Sequence, residues 1–277
     1  MAASGTQGPH APQRAGRTPR AGGPSHVRRA LVPTFTILGL IAIWQAVVDF
    51  GVIQRFLLPS PTDVLSALVG DWALIWEHAQ TTLVESIAGL LIGVAIGFVL
   101  AVLMDRFEGF YLAMQPLITL SQTVPTVAIA PLLLIWFGYG LAPKIILIVV
   151  TTFFPVSVSL VAGFRSTDPD VIDLLRTMHA TDLQIFWYAK LPAAADQFFS
   201  GLKISATYAI VGAVISEWLG GQSGLGVYMT RVRKSFAYDK MFASIVVVSA
   251  LSMVLMGLVE VLERLCMPWK RAERKHQ

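Results

Sequence analysis

The feature that most restricts this chain is a series of long, nearly uncharged apolar runs, of which ALVPTFTILGLIAIWQAVV (residues 30–48) comes first. A helix needs about 20 apolar residues to cross the roughly 30 Å hydrocarbon core of a bilayer. Further runs of that length cover about 82–104, 110–137, 143–164, 198–219 and 241–262. Lipid cannot hydrogen-bond a bare backbone, and segments of this length satisfy their own peptide groups only as helices. The expectation is an all-α integral membrane protein with about six transmembrane helices. The bulk numbers agree, with 55% hydrophobic and only 14% charged residues, where a soluble domain carries about a quarter charged.

The residues also narrow the chemistry. One cysteine, Cys266, allows no intrachain disulfide framework, and the five histidines include no pair at ligand spacing. No GxxxxGK[ST] loop is present to hold a nucleotide. A membrane enzyme would need a cluster of acids or histidines at one depth, whereas Glu85, Glu217 and Glu260 fall near different span ends. A stand-alone secondary transporter would normally show more spans and an internal repeat. No nucleic-acid partner is indicated.

Residues 1–29 are rich in Gly, Pro, Ala and Arg and are expected to form a disordered basic tail. Residues 30–264 form the membrane domain, and 265–277 are a second basic tail. With the N-terminus inside, most arginines and lysines fall in the cytoplasm, so the positive-inside rule places both termini there. Leu57 to Trp72 reads as a Pro-fixed turn followed by a short amphipathic helix. Gly89, Gly93 and Gly97 make a doubled GxxxG, read as packing within the chain rather than as a dimer seam. The run 110–137 contains Pro116, Pro125 and Pro131, so its helix should break around SQTVPTV, where protein or a cavity must cover the freed backbone. GGQSGLG (residues 220–226) lacks the lysine of a phosphate loop and reads as an outer loop or re-entrant turn.

The least membrane-like segment between spans is DLLRTMHATDLQIFWYAKLP, residues 173–192. Asp168 before Pro169 is a helix start, and Thr181 with Gln184 forms a capping box that starts a second helix at Asp182. Two short helices with a corner at His179-Ala180-Thr181 follow from this. Two readings fit these residues: an amphipathic segment resting among headgroups, or an element that docks into a cytoplasmic protein.

Residues 168–201 (DPDVIDLLRTMHATDLQIFWYAKLPAAADQFFSG) resemble the EAA loop of ABC-importer permeases, the binding-protein-dependent transport family. Asp173 stands where that family has Glu, Leu174 and Leu175 where it has two alanines, and His179 where it has glycine. Leu191 and Pro192 match its closing Leu-Pro. LPSPTDVLSAL, VPTVAIAPLLLIWFGYG, FFPVSVSLVAGFRSTDP and GAVISEWLGGQSGLGVYM are similar to the subgroup serving nitrate, taurine, alkanesulfonates and thiamine-precursor pyrimidines. VRKSFAYDKMFAS and QIFWYAKLP look closest to carriers of hydroxymethylpyrimidine-type precursors.

The resemblance implies a type I ABC-importer arrangement in the bacterial inner membrane, with Asp173, Leu174, Leu175, Arg176, His179, Ala180, Leu191 and Pro192 in the coupling loop, about residues 165–195. It also implies a second permease copy or sister permease, two ABC ATPase subunits that bind ATP and Mg, and an extracytoplasmic solute-binding protein. The chain itself would bind no cofactor and touch membrane lipid. Ser121, Gln122, Thr123, Lys203, Ser216 and Glu217 are the polar residues expected along a solute pathway, since polar groups inside spans are costly where they face lipid.

Overall fold

A computed structural model describes residues 26–268. The expected tail 1–29 lies outside these except for its last four residues, which are helical; most of the second tail, 269–277, also lies outside. The described chain contains α1 (His26–Asp49), α2 (Pro61–Gly70), α3 (Trp72–Arg106), α4 (Glu108–Thr123), α5 (Thr126–Phe137), α6 (Leu141–Arg165), α7 (Pro169–Thr177), α8 (Asp182–Ile185), α9 (Leu191–Gly220), α10 (Leu225–Lys234) and α11 (Tyr238–Cys266).

The core is a three-helix seam of α3, α6 and α9, and its register follows from small residues. On α3, Gly89 faces Ile148, Gly93 faces Thr152, and Gly97 faces Phe153 and Val156 of α6. Numbers rise together on both helices, so α3 and α6 run parallel. On α9, Ala194 faces Gly163, and Gly201 faces Pro155 and Ser159 of α6, so this pair is antiparallel. Hydrogen bonds cross the seam from Ser157 Oγ to the Gly97 carbonyl at 3.2 Å and from Ser205 Oγ to the Thr152 carbonyl at 2.7 Å. The doubled GxxxG is thus an intrachain packing face. Between membrane helices, such close approach supplies the contacts that water exclusion cannot.

A side chain at Gly93 would land on Thr152 and the Phe153 amide, whereas one at Gly109 meets nothing within 4 Å. Gly93→Leu should cost about 3 kcal/mol or more through overpacking. Gly109→Ala should be neutral or mildly stabilising, because Ala is the better helix former. Thermal unfolding of the purified variants in detergent checks the contrast, and equal melting of the two would refute the seam.

Because α3 and α6 are parallel, the α4–α5 segment between them must return across the membrane. It does so as two helices bent by 98° at Val124-Pro125, where the proline sequence called for a break. Pro125 has no N–H to continue the ladder, and its ring disfavours a helical residue before it. Counting this bent pair as one span, α1, α3, α4–α5, α6, α9 and α11 make six among the described residues. Most of α1 is exposed within the chain, and it is pinned near its end by Val48 and by Trp44 against Phe242, rings 5.9 Å apart.

One boundary differs from the sequence reading. The fifth span, expected from about Phe198, and the short helix expected from Asp182 are one continuous helical rod of 39 residues, Asp182–Gly220. Residues Phe186–Lys190 form a π-helical turn, in which the Leu191 N–H bonds to the Phe186 carbonyl. Pro192 follows at once, and the extra residue in the turn accommodates its ring and its missing donor. The loop therefore ends at Thr181.

Candidate functional site

Three bond sets build the α7–α8 corner. The Asp168 carboxylate accepts the Asp170 N–H at 2.9 Å, which caps α7. At its other end, the Ala180 N–H bonds to the Leu175 carbonyl at 3.0 Å and the His179 N–H to the Arg176 carbonyl at 2.9 Å. This is a Schellman stop with histidine in the left-handed position, at φ 61°, which is usually reserved for glycine. Thr181 then caps α8, accepting the Gln184 N–H on Oγ1 at 3.4 Å while Gln184 Oε1 accepts the Thr181 N–H at 2.8 Å. The expected capping box is present in full.

The corner is tied to the bundle by charge and by rings. Arg106 pairs with Asp182 at 2.6 Å and Lys190 with Asp105 at 2.8 Å, and Phe186 meets Phe164 with ring centroids 5.4 Å apart. Its outer face stays open: the Asp173 and Arg176 side chains are exposed and pair with each other at 3.5 Å. Leu174, Met178, Leu183 and Trp187 are exposed beside them. Leu175 and Ala180 are half-buried against the stop, whereas His179 and Pro192 are exposed and Leu191 is half-buried in the rod.

A second feature lies at the broken span. A cavity of about 550 Å³ opens beside Val124-Pro125 and is walled by α4, α5, α6 and α9. Ser121 and Gln122, two of the polar residues expected along a solute pathway, line it. Thr126, Phe154, Ser159 and Tyr208 also line it and carried no sequence signal, because single polar or aromatic residues on apolar helices have no periodic mark. Thr123 lies outside the lining and bonds back to the Leu120 carbonyl at 2.8 Å. Lys203 pairs with Glu263 at 2.5 Å. Ser216 bonds the Ala213 carbonyl and borders a separate small void beside Lys144.

Glu217 belongs to a third cluster, at the end of the bundle away from the corner. Its carboxylate accepts from Thr82 Oγ1 at 2.8 Å and from the Gly226 N–H at 2.6 Å. The Leu225 N–H donates to Thr82 Oγ1 at 2.8 Å and the Gly224 N–H to His78 Nδ1 at 3.0 Å. The first free amides of α10 are thereby satisfied by side chains of α3 and α9, and the GGQSGLG turn is locked down rather than loose. Beside it Lys144, near the start of α6, is buried and pairs with Glu85 at 2.6 Å. Charges inside spans are the signal that could have found this pair. At the same end Lys240, at 2.7 Å, and the Tyr228 hydroxyl, at 2.8 Å, hold the Asp71 carboxyl below the usual carboxylate range.

A six-span bundle with a capped corner open at one end and a cavity at a broken span is the architecture of a transport permease. The chain belongs to the family described as binding-protein-dependent transport system inner membrane component, whose model matches residues 89–266. It is 33% identical over 246 residues to a formylaminopyrimidine transport permease of Halalkalibacterium halodurans, covering 88% of this chain and 98% of that one. It is 28% identical over 238 residues to an aliphatic sulfonates transport permease of Bacillus subtilis, covering 84% and 85%. A solved amino acid ABC transporter matches the fold with a TM-score of 0.57 at 20% identity, covering 73% of this chain and 96% of that one. The protein is thus a multi-pass inner-membrane permease subunit of an ABC importer, a transport component rather than an enzyme, and the ATPase is a separate subunit.

Proposed function

We propose that this permease carries a small thiamine-precursor pyrimidine of the hydroxymethylpyrimidine type into the cell, driven by ATP hydrolysed in its partners. The observation that carries the mechanism is the capped α7–α8 corner, continuous through α8 with the α9 rod whose Ile204, Tyr208 and Val211 wall the cavity. In this reading both termini are cytoplasmic and the corner, through Asp173, Leu174, Arg176 and His179, sits in a groove of one of two ATPase subunits that bind ATP and Mg. A second copy or a sister permease faces the broken span, and a solute-binding protein delivers cargo at the α2–α10 end. When the ATPases close, the corner moves and the rod rocks, so the path has two stable arrangements.

The pyrimidine assignment is supported by the 33% identical relative named for formylaminopyrimidine. The second reading, an alkanesulfonate, taurine or nitrate cargo in the same importer class, is favoured by the sulfonate relative. Reconstituted with its cognate ATPase and binding protein, the permease should accumulate labelled hydroxymethylpyrimidine in vesicles only when Mg-ATP is supplied. Accumulation on an ion gradient without ATP would overturn the importer reading. ATP-driven accumulation of an alkanesulfonate but not the pyrimidine would replace the cargo alone.

A further inference from the structure

The cavity beside Val124-Pro125 is lined by sixteen residues, none of which is charged. The nearby span charges are committed elsewhere, Lys203 to Glu263 and Lys144 to Glu85. An anion entering this space would shed its water and meet no cationic side chain in the lining, which costs several kcal/mol. The lining instead offers neutral hydrogen-bonding groups. Ser121 and Thr151 already bond to the Ile118 and Ile148 carbonyls. The side chains of Gln122, Thr126, Ser159 and Tyr208 have no partner among the described residues and remain available to a solute.

Gln122 decides the kind of group that fits. A primary amide presents one acceptor and two donors side by side, and it pairs bidentately with a heterocycle edge that places an amino group beside a ring nitrogen. Phe154 and Tyr208 provide aromatic faces in the same cavity, and offset stacking on such faces favours a flat ring. The volume, about 550 Å³, is within the range of small-molecule sites. At the α4–α5 break, α5 begins at Thr126, after Pro125, with no side-chain cap, which leaves peptide groups next to the cavity to complement a polar rim.

We infer that this cavity is a recognition site, within the permease itself, for a neutral planar amino-heterocycle, with Gln122 reading its amino-nitrogen edge and Tyr208 and Phe154 its face. The inference rests on the importer reading above and adds that the membrane subunit selects cargo, rejecting anions for want of a counter-charge.

The test uses the complete transporter in vesicles, with labelled hydroxymethyl-aminopyrimidine and labelled ethanesulfonate, a permanent anion, as probes and ATP hydrolysis followed in parallel. Wild type should take up the pyrimidine and not the sulfonate. Gln122→Leu should raise the KM for the pyrimidine about tenfold, as expected for one lost bidentate pair, with ATP hydrolysis within about twofold of wild type. Gln122→Asn, which keeps the amide, should restore part of the affinity. Tyr208→Leu should weaken uptake by a similar factor, which gives a second reading if the first variant folds poorly. Wild-type KM in both leucine variants would overturn the site while leaving the importer intact. So would ethanesulfonate uptake by wild type, or uptake of neither probe with ATP hydrolysis intact. Loss of both uptake and hydrolysis in wild type would mean that the importer reading itself has failed.

Discussion

Inserting a glycine pair after Ala180 should reduce ATP-driven uptake about hundredfold, the scale set by misplacing a working group by an ångström or more, without lowering the amount of permease in the membrane. The caps on either side are local. Asp168 holds Asp170 and Thr181 holds Gln184 whatever the length between them, so both helices survive the insertion. The Schellman stop is what fixes their relative direction, through the Ala180 and His179 amides and a left-handed His179. Two glycines between that stop and the Thr181 cap free α7 from α8, so motion imposed on α7 no longer reaches the α9 rod. Asp173→Ala is the companion variant. Its side chain is 72% exposed and, among the described residues, pairs with Arg176 alone, so its removal should change stability by less than about 0.5 kcal/mol, and any loss of uptake reports a contact with the partner. Membrane abundance by immunoblot and uptake of labelled solute decide the matter; full uptake in the insertion variant would sink the coupling role.

Lys144→Met should destabilise the bundle by about 3–5 kcal/mol, the cost of leaving a buried carboxylate without its partner. Glu85 retains 3% of its side-chain surface and Lys144 8%, and one Glu85 oxygen already lacks a hydrogen-bond partner among the described residues. Glu217, whose own oxygens accept from Thr82 and Gly226, is a second carboxyl group at this end and offers no cation to replace Lys144. The double variant Lys144→Met with Glu85→Met should recover most of the loss, because two apolar side chains need no counter-charge. Unfolding of the detergent-solubilised variants by heat separates the cases. A single variant as stable as wild type, or a double variant as unstable as the single one, would contradict the account.

The span count, the break at SQTVPTV and both corner caps were legible in the chain because each depends on residues close in sequence: apolar run length, proline spacing, and Asp or Thr next to free amides. The π-helical turn was not legible, since Pro192 read as the end of a loop, and only its packing next to the Phe186–Phe164 contact shows that the helix runs on. The cavity was half legible. Ser121 and Gln122 sit at the marked break, but Tyr208 and Phe154 come from helices 30 or more residues away whose rotation is set by packing at Gly93, Gly97, Gly163 and Gly201.

By itself, then, the sequence determined what is local: which segments cross the membrane, where one of them must break, and where two short helices stop and start. Tertiary structure decided everything that needs two distant segments to meet. It put α3 parallel to α6, buried Lys144 against Glu85, caged the α10 amides with His78, Thr82 and Glu217, and joined the corner to the cavity wall. Helix formation and capping are settled by hydrogen bonds a few residues apart, whereas the pairing of helices in lipid depends on close packing and on rare polar groups finding one another across the bundle.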